Sequence, residues 1–313
     1  MARPAHDFKA YLRSMQLSRT EVYFFVEGKD CDPTYYGRLS EETQTRNKVK
    51  CVVVRADEIR NPVGILPLGG GKPKLVGFHN FLRRNGHLVD VFKGKRTVSV
   101  FFADKDIDDL LKKLLRSRHF LYTKWHSVEN HLILAADLHE AIASTCSLAP
   151  GRVPRDFHDV NAWTRKAAER WKEWVACCVL SQKCKSGVLN YGSESLINVP
   201  ATANTDAMLL RKHLNRLSAS TGIEADKIKR KYLIVEKMIE GLYARNEHNA
   251  VFRGKWYLSI LFAELKASLP RTAVPNGFKK IMLGILRAKC TRFPCEITRN
   301  SVFELVDLYF PPS

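Results

Sequence analysis

Two hydrophobic runs of the sequence end in carboxylates. The run "VYFFV" ends at Glu27, and the run "TVSVFFA" ends at Asp104, with Asp106 and Asp108 following at alternate positions. Acids spaced this closely repel one another and gain nothing from burial in a core, so we interpret them as ligands of a cation. Oxygen ligands of this kind suit Mg²⁺, which one or two carboxylates often hold together with substrate phosphate. Mn²⁺ is the alternative metal.

Helix capping is the alternative interpretation of these acids. A carboxylate after a strand can cap the next helix, and the helix macrodipole favours acids in a first turn. Capping would account for Asp108 and Asp109 and, taken alone, for Glu27, but less well for Asp104. A further acid, Glu129 in "HSVENHL", either caps a helix or supports the metal. His126 in the same segment is a supporting candidate for proton transfer.

Lysines beside these acids could neutralise the charge on a phosphate. Lys29 directly follows the Glu27–Gly28 pair, and Lys72 ends a "GGGK" segment. This segment is no Walker motif, since Leu66 stands where that motif needs glycine. Three glycines before a helix can still present backbone N–H groups to a phosphate, although a flexible surface loop is the alternative. Either lysine would then stabilise negative charge at the scissile group.

The first half of the chain alternates between strand and helix patterns. Strands are predicted at Val22–Val26, in "KVKCVVVRAD" and in "TVSVFFAD". Helices are predicted at 5–17, at Pro33–Thr45, from "GGGK" to Gly86, and in "IDDLLKKLLRSRH". This alternation predicts an α/β fold with a mainly parallel sheet flanked by helices. In such sheets the functional residues gather at the carboxyl ends of the strands.

From Val160 onward the sequence indicates helices. Trp163, Trp171 and Trp174 recur at helical spacing, which is more typical of a core stripe than of a base-stacking platform. We therefore expect two domains, an α/β domain over residues 1–150 and a mostly helical domain over residues 151–313. The helical domain would bind nucleic acid or make partner and dimer contacts.

The charge of the chain favours polyanionic partners. Lys and Arg number 51 against 32 for Asp and Glu, a formal net charge of +19. Nucleic acid is the leading partner class, ahead of an acidic protein or a membrane surface, and a merely basic protein is the remaining interpretation. There is no apolar run of membrane-spanning length and no secretory signal pattern, and the eight irregularly spaced cysteines suggest reduced thiols. The expected location is the cytoplasm.

An ordered set of motifs connects these candidates to a known family. The segments are "FVEGKD", "GGGK", "FFADKDID", "HSVENHL" and "FRGKW". The set resembles the TOPRIM nucleases of the OLD-like anti-phage defence family, in particular the effector nucleases of PARIS-type systems. The resemblance covers residues 20–135 well, and it reaches the helical half only through "FRGKW".

The resemblance implies a role for each matched residue. Glu27 matches the TOPRIM glutamate of acid/base chemistry and metal positioning, Asp104 and Asp106 match the metal-binding pair, and Glu129 falls in the S-x-E-N element. The implied protein is a Mg²⁺-dependent endonuclease and toxic effector of abortive infection. It would cleave host RNA such as tRNA, act as a homodimer, and be held inactive by a separate ABC-type ATPase. A DNA nuclease and a non-catalytic scaffold with a decayed site remain alternatives. Basic residues expected to contact nucleic acid are Lys72, Lys74, Lys105, Arg253 and Lys255.

Overall fold

The chain forms two compact units. The structure is a computed structural model that describes residues 7–28, 31–59, 71–186, 205–270 and 272–312. The first unit comprises Met1–Lys105, Lys113–Lys124 and Cys290–Ser313, and the second comprises Asp106–Lys112 and Trp125–Lys289. The chain therefore passes from the first unit to the second and back twice.

A five-stranded sheet is the centre of the first unit. Its strands lie in the order β2-β1-β4-β3, and β5 pairs with the C-terminal end of β4. β1 runs parallel to both β2 and β4, β5 runs parallel to β4, and β3 is antiparallel to β4. This confirms the expected α/β fold with a mainly parallel sheet. The strands are β1 (Val22–Val26), β2 (Cys51–Arg55), β3 (Val89–Phe92), β4 (Lys95–Ala103) and β5 (Phe120–Tyr122).

Helices cover the sheet of the first unit. Both β1 and β4 are buried along most of their length, which explains why their sequences are continuous apolar runs rather than alternating ones. On one side Phe25 and Phe101 stack on each other and contact Phe78 of α3. The helices described in this unit are α1 (Phe8–Leu17), α2 (Asp32–Asn47), α3 (Lys72–Arg84) and α12 (Glu296–Asp307).

The end of the chain packs on α2. The Asp307 carboxylate in α12 accepts hydrogen bonds from Arg46, at 2.8 Å, and from Asn47, at 2.7 Å. Tyr35 of α2 also contacts Phe293, with ring centroids 4.7 Å apart. Residues distant in sequence therefore complete the outer layer of the α/β unit.

One local prediction is wrong, and the sequence interpretation was incomplete. The segment "IDDLLKKLLRSRH" is not a helix, because residues 106–112 form turns with positive φ at Asp106 (51°) and Lys112 (54°). Helix capping therefore does not explain Asp108 and Asp109. The sequence interpretation also missed β3, which joins β4 through a tight turn at Lys93 and Gly94, both with positive φ.

The second unit is helical, as expected for most of the remainder of the chain. Trp163, Trp171 and Trp174 are all buried, which confirms that the tryptophan stripe is core. Its helix is interrupted at Trp171, between α6 and α7. The helices described here are α4 (Val128–Ala135), α5 (Leu138–Thr145), α6 (Val160–Arg170), α7 (Lys172–Lys183), α8 (Ala207–Thr221), α9 (Ala225–Ala244), α10 (Gly254–Ser268) and α11 (Phe278–Lys289).

In the described ranges no helix combines the length and the apolar character that a membrane crossing requires. The division at residue 150 into two domains stays a prediction, because a compact unit need not be a segment that folds on its own.

Candidate catalytic site at the strand ends

The first unit brings Glu27 and Asp104 together. β1 and β4 are parallel neighbours with Val26 opposite Phe102, so both strands end at the same edge of the sheet. Glu27 is the first residue after β1, and Asp104 is the first after β4. The backbone N–H of Asp104 donates to Oε2 of Glu27 at 3.3 Å. The Glu27 carboxylate therefore reaches the backbone that carries the second acid.

The last glycine of "GGGK" lies against Glu27. A Cβ placed on Gly71 would be 3.1 Å from Cγ and 3.2 Å from Oε1 of Glu27, and the φ of Gly71 is +65°. Only glycine meets both conditions without strain. Gly69 and Gly70 lie outside the described residues, so the interpretation of this loop as a phosphate cradle stays a prediction.

The lysines that follow belong to the start of α3. Lys72 is the first residue of α3, and its Nζ lies 6.0 Å from the centroid of the Tyr122 ring, at the limit of a cation–π contact. The N–H of Lys74 donates to the carbonyl oxygen of Gly71 at 3.1 Å. Lys72 is therefore in the same turn as the glycine that touches Glu27. Lys29 lies outside the described residues.

A buried acid that the sequence interpretation missed fixes the turn after Glu27. Asp32, only 7% exposed, accepts a hydrogen bond from the N–H of Gly28 at 2.7 Å. A Cβ on Gly28 would be 2.7 Å from Oδ1 of Asp32, so this position also requires glycine. The signal in the sequence was an acid directly before Pro33 at a helix start, where the macrodipole favours negative charge.

Two tyrosines behind the site are unsuited to act as nucleophiles. Burial raises the pKa of the Tyr35 phenol well above its usual value, and the charges of nearby groups, including Asp104, raise it further. Burial likewise raises the pKa of Tyr36. Both phenols therefore stay protonated near neutral pH. The pair packs edge to face, with centroids 4.9 Å apart.

The chain after β4 is held by β5. The N–H of Lys105 donates to Oγ1 of Thr123 at 2.8 Å, and the N–H of Thr123 donates to the Ala103 carbonyl oxygen at 3.1 Å. These two bonds fix the backbone on either side of Asp104. The side chain of Lys105 is half-buried.

Asp106 and His126 are neighbours in the second unit. The N–H of Asp106 donates to the His126 carbonyl oxygen at 2.8 Å, and Oδ1 of Asp106 lies 3.8 Å from Nδ1 of His126. The His126 side chain is 1% exposed, whereas that of Asp106 is 41% exposed. The N–H of His126 in turn donates to the Asn249 carbonyl oxygen at 2.8 Å. Asp108, in the same turn as Asp106, is half-buried.

Glu129 is not the residue that caps α4. Ser127 and Asn130 form a capping box, with the Ser127 N–H donating to Oδ1 of Asn130 at 3.1 Å. Glu129 is 6% exposed as a residue, and its Oε1 lies 3.5 Å from Nζ of Lys255. Lys255, predicted to contact nucleic acid, is thus the ion-pair partner of Glu129, and Arg253 is the N-cap residue of α10.

The "HSVENHL" and "FRGKW" segments contact each other. A Cβ on Gly254 would be 2.6 Å from the backbone nitrogen of Asn130 and 2.7 Å from Cβ of Glu129. Nδ2 of Asn130 donates to the Phe252 carbonyl oxygen at 2.9 Å, and the Tyr257 hydroxyl donates to Oδ1 of Asn249 at 2.9 Å. Two motifs more than 100 residues apart therefore form one buried polar network.

The two carboxylates at the strand ends fit a hard cation that needs only one or two protein ligands. Within the ranges that the structure describes, no three or more His, Cys, Asp or Glu side chains form a group that could hold a metal ion. Glu27 and Asp104 nevertheless supply two carboxylates at adjoining strand ends. Mg²⁺ is commonly bound by one or two carboxylates, with water and substrate phosphate completing the shell.

A comparison with protein-family models found no match, and neither did a comparison with curated proteins. The fold and the geometry of the strand ends are therefore the observations that bear on function.

Proposed function

We propose that the protein is a metal-dependent nuclease with Glu27 and Asp104 at its reaction centre. The observation that carries this proposal is the contact between the Asp104 N–H and the Glu27 carboxylate where β1 and β4 end. In open α/β sheets, ligands bind outside the carboxyl ends of the strands. Two acids at that edge, in a chain of net charge +19, fit a site for a phosphodiester and a cation.

Mg²⁺ would be held by Glu27 and Asp104, whereas Asp106 belongs to the second unit and its role as a ligand stays a prediction. When bound, the metal supplies polarisation of the phosphate and a lowered pKa of bound water. Mn²⁺ is the alternative. Glu129 stays a predicted metal ligand. It lies in the second unit, where it pairs with Lys255.

The side chains of the first unit position the reacting groups. Glu27 can accept a proton from an attacking water, because the Asp104 N–H holds its carboxylate in one orientation. Asp32 fixes the backbone at Gly28 immediately after this acid. Lys72, one residue after the glycine that touches Glu27, would offset negative charge on the phosphate. Because Tyr35 and Tyr36 are buried, hydrolysis by water fits the site better than attack by either tyrosine.

The resemblance in the ordered motifs extends the proposal to substrate and regulation. It supports a toxic effector of anti-phage defence that cleaves host RNA, tRNA in particular, in the cytoplasm. It also supports an active homodimer and a separate ABC-type ATPase that keeps the nuclease silent. DNA is the alternative substrate, because a basic surface binds either nucleic acid.

A non-catalytic nucleic-acid-binding protein is the second candidate. In this alternative the acids at the strand ends hold no catalytic metal, and the basic surface alone binds nucleic acid. The two candidates differ in their response to metal. A nuclease should gain thermal stability from Mg²⁺, because a ligand that binds only the folded state stabilises it. The non-catalytic protein should show no such shift.

The decisive variant is Glu27→Gln, which keeps the size of the side chain and removes its charge. We expect cleavage of total tRNA or of duplex DNA, followed on denaturing gels with Mg²⁺ present, to fall by about 10²–10⁴-fold. Asp104→Asn should behave in the same way, and EDTA should abolish the wild-type reaction.

Glu21→Gln is the matched control, because Glu21 precedes the same strand at its opposite end and accepts from the Lys50 N–H at 2.9 Å. This control should cleave normally. Wild-type cleavage by folded Glu27→Gln protein would refute the assignment of the reaction centre.

A further inference from the structure

We propose that one face of α8 binds the phosphate backbone of the nucleic acid. This inference rests on the proposed nuclease function and adds a surface that would bind its substrate. The face, called here the basic stripe, consists of Arg211, Lys212, Asn215 and Arg216. All four side chains are exposed.

The stripe is a continuous surface of a single helix. Its residues, with Met208 and Ala219 at its ends, recur at three- and four-residue spacing and therefore share one side of α8. They form one exposed surface of the helix. The opposite side of α8 packs inward through His213 and Leu217, which are buried. The helix therefore has one core face and one basic face.

No acid within α8 compensates the charge of the stripe. The sequence of α8 contains no acid between Ala207 and Thr221. Within the described ranges, neither Arg211, Lys212 nor Arg216 has an acidic partner at ion-pair distance, whereas the exposed Lys166 is paired with an acid. The carboxylate of Asp206, directly before α8, accepts from the N–H groups of Met208 and Leu209 as the helix cap.

Like charges at this spacing work mildly against the helix. Lys212 and Arg216 are four residues apart, the spacing at which like charges repel. A helix that keeps such a pair exposed, without an acid in between, gains from an anionic partner that neutralises both charges. The arrangement thus indicates binding rather than helix stabilisation.

The positive surface continues toward α9. Arg211 and Asn215 also line a groove of about 470 Å³ between α8 and α9, together with Lys229 and the acid Asp226. Lys229, Arg230 and Lys231 are all exposed. Arg211 therefore lies where the basic stripe meets the basic first half of α9.

The chemistry of the stripe favours nucleic acid over an acidic protein. Guanidinium, ammonium and amide groups are the common donors to phosphate oxygens. Protein interfaces instead depend on large anchors, aromatic ones above all, that are buried on binding. The exposed face of α8 offers Met208 as its large apolar side chain and no aromatic residue.

The test replaces the three cations together, as Arg211→Gln, Lys212→Gln and Arg216→Gln, because glutamine keeps a similar helix propensity. The matched control carries Arg152→Gln, Arg155→Gln and Lys280→Gln, exposed residues of the same unit that lose the same charge. Binding of fluorescein-labelled total tRNA and of a labelled short duplex DNA is followed by fluorescence anisotropy with EDTA across a KCl series. Circular dichroism checks that all the proteins fold.

The stripe variant should bind at least about tenfold more weakly near 0.1 M KCl. Its slope of log K against log salt should fall by about 2 to 3, since each lost phosphate contact removes close to one released counterion. The control should keep the slope of the wild type. RNA and DNA probes distinguish the two sources of the same phosphate chemistry.

Three results would overturn the proposal. One is unchanged binding by the folded stripe variant. Another is an equal loss in the control, which would mean that net charge alone matters. The third is a stripe variant that loses binding of labelled poly-L-glutamate but not of nucleic acid, which would indicate a protein partner.

Failure of the nuclease proposal gives a different pattern. If wild-type protein cleaves neither probe with Mg²⁺ while the stripe variant loses binding, the proposed binding surface is supported and the proposed nuclease function is refuted. If both proposals are correct, the stripe variant should cleave with raised KM and nearly unchanged kcat, because Arg211, Lys212 and Arg216 are outside the proposed reaction centre.

Discussion

At the scale of single residues, glycines determine where the carboxylates of the α/β unit can lie. Gly28 leaves room for Asp32, and Gly71 leaves room for Glu27. The absence of a side chain at Gly28 and at Gly71 therefore helps to position the carboxylates of Asp32 and Glu27. This gives a steric reason for the glycines in "EGK" and "GGGK", independent of any role in binding phosphate.

Gly71→Ala tests this reason. The new methyl group would lie 3.1 Å from Cγ of Glu27, closer than most Cβ contacts, so the carboxylate must shift. We expect the proposed nuclease activity to fall by about tenfold or more, because small displacements of reacting groups are costly. Stability should fall by about 1–2 kcal/mol, since alanine disfavours positive φ. Cleavage rates and urea unfolding midpoints measure the two effects.

Gly86→Ala is the control for backbone strain. Gly86 also has positive φ, +74°, but a Cβ there would meet nothing within 4 Å. It should lose comparable stability and keep its activity. Equal activity in both variants would show that Gly71 does not constrain Glu27.

At the scale of secondary structure, α4 and α10 approach each other unusually closely. Gly254 lies against Asn130 and Glu129, and the buried network of Asn130, Asn249 and Tyr257 joins the same segments. The pairing of Glu129 with Lys255 depends on this approach, because Lys255 directly follows the glycine. The "FRGKW" segment therefore serves the "HSVENHL" segment as a structural partner.

Gly254→Ala should push these two helices apart. Its Cβ would be 2.6 Å from a backbone nitrogen, which cannot move without the rest of α4. Overpacking of this kind costs about 1–3 kcal/mol. Gly284→Ala in α11 is the counterpart, because its Cβ meets only the end of Arg287 at 3.9 Å. That variant should be stabilised by about 0.4–1 kcal/mol. Thermal melts that rank the two variants the other way would contradict the close approach.

The strand ends were predictable because buried parallel strands have a strong signature. Continuous apolar runs in β1 and β4 predicted both strands, and the acids that follow them necessarily share one edge of the sheet. The contacts of Asp32 and Gly71 were not predictable, since they depend on backbone angles of turns. β5 is only three residues long, and its pairing with β4 depends on tertiary structure. The "IDDLLKKLLRSRH" pattern has helical spacing, yet positive φ at Asp106 and Lys112 replaces the helix by turns.

At the scale of the whole molecule, each unit contains a buried histidine that resists protonation. Burial lowers the pKa of His79 in the first unit and of His248 in the second to about 4. The Nε2 atom of His79 lies 3.0 Å from Oγ of Ser117, and its ring packs edge-on to Phe101 and Phe120. Both rings are therefore neutral in the folded protein at neutral pH.

This predicts a loss of stability in mild acid. Between about pH 6.5 and pH 4 the unfolded chain binds protons that the folded chain does not, so acidification favours unfolding. The urea midpoint of the wild type should fall between about pH 7 and pH 5. His79→Gln should show a smaller fall, whatever its absolute stability.

His248→Gln, the equivalent change in the second unit, should likewise show a smaller fall than the wild type. Identical pH dependence in the wild type and in His79→Gln would show that His79 titrates normally.

The return of the chain at α12 has a consequence for protein synthesis. On the ribosome, α2 is made long before the Phe293 and Asp307 groups that cover it, because these lie much later in the chain. At about 5–20 residues per second, the delay is on the order of tens of seconds. A nascent chain cannot finish the layer behind Asp32 and Tyr35 until then. A chain that stops before α12 therefore lacks part of the layer that packs on α2.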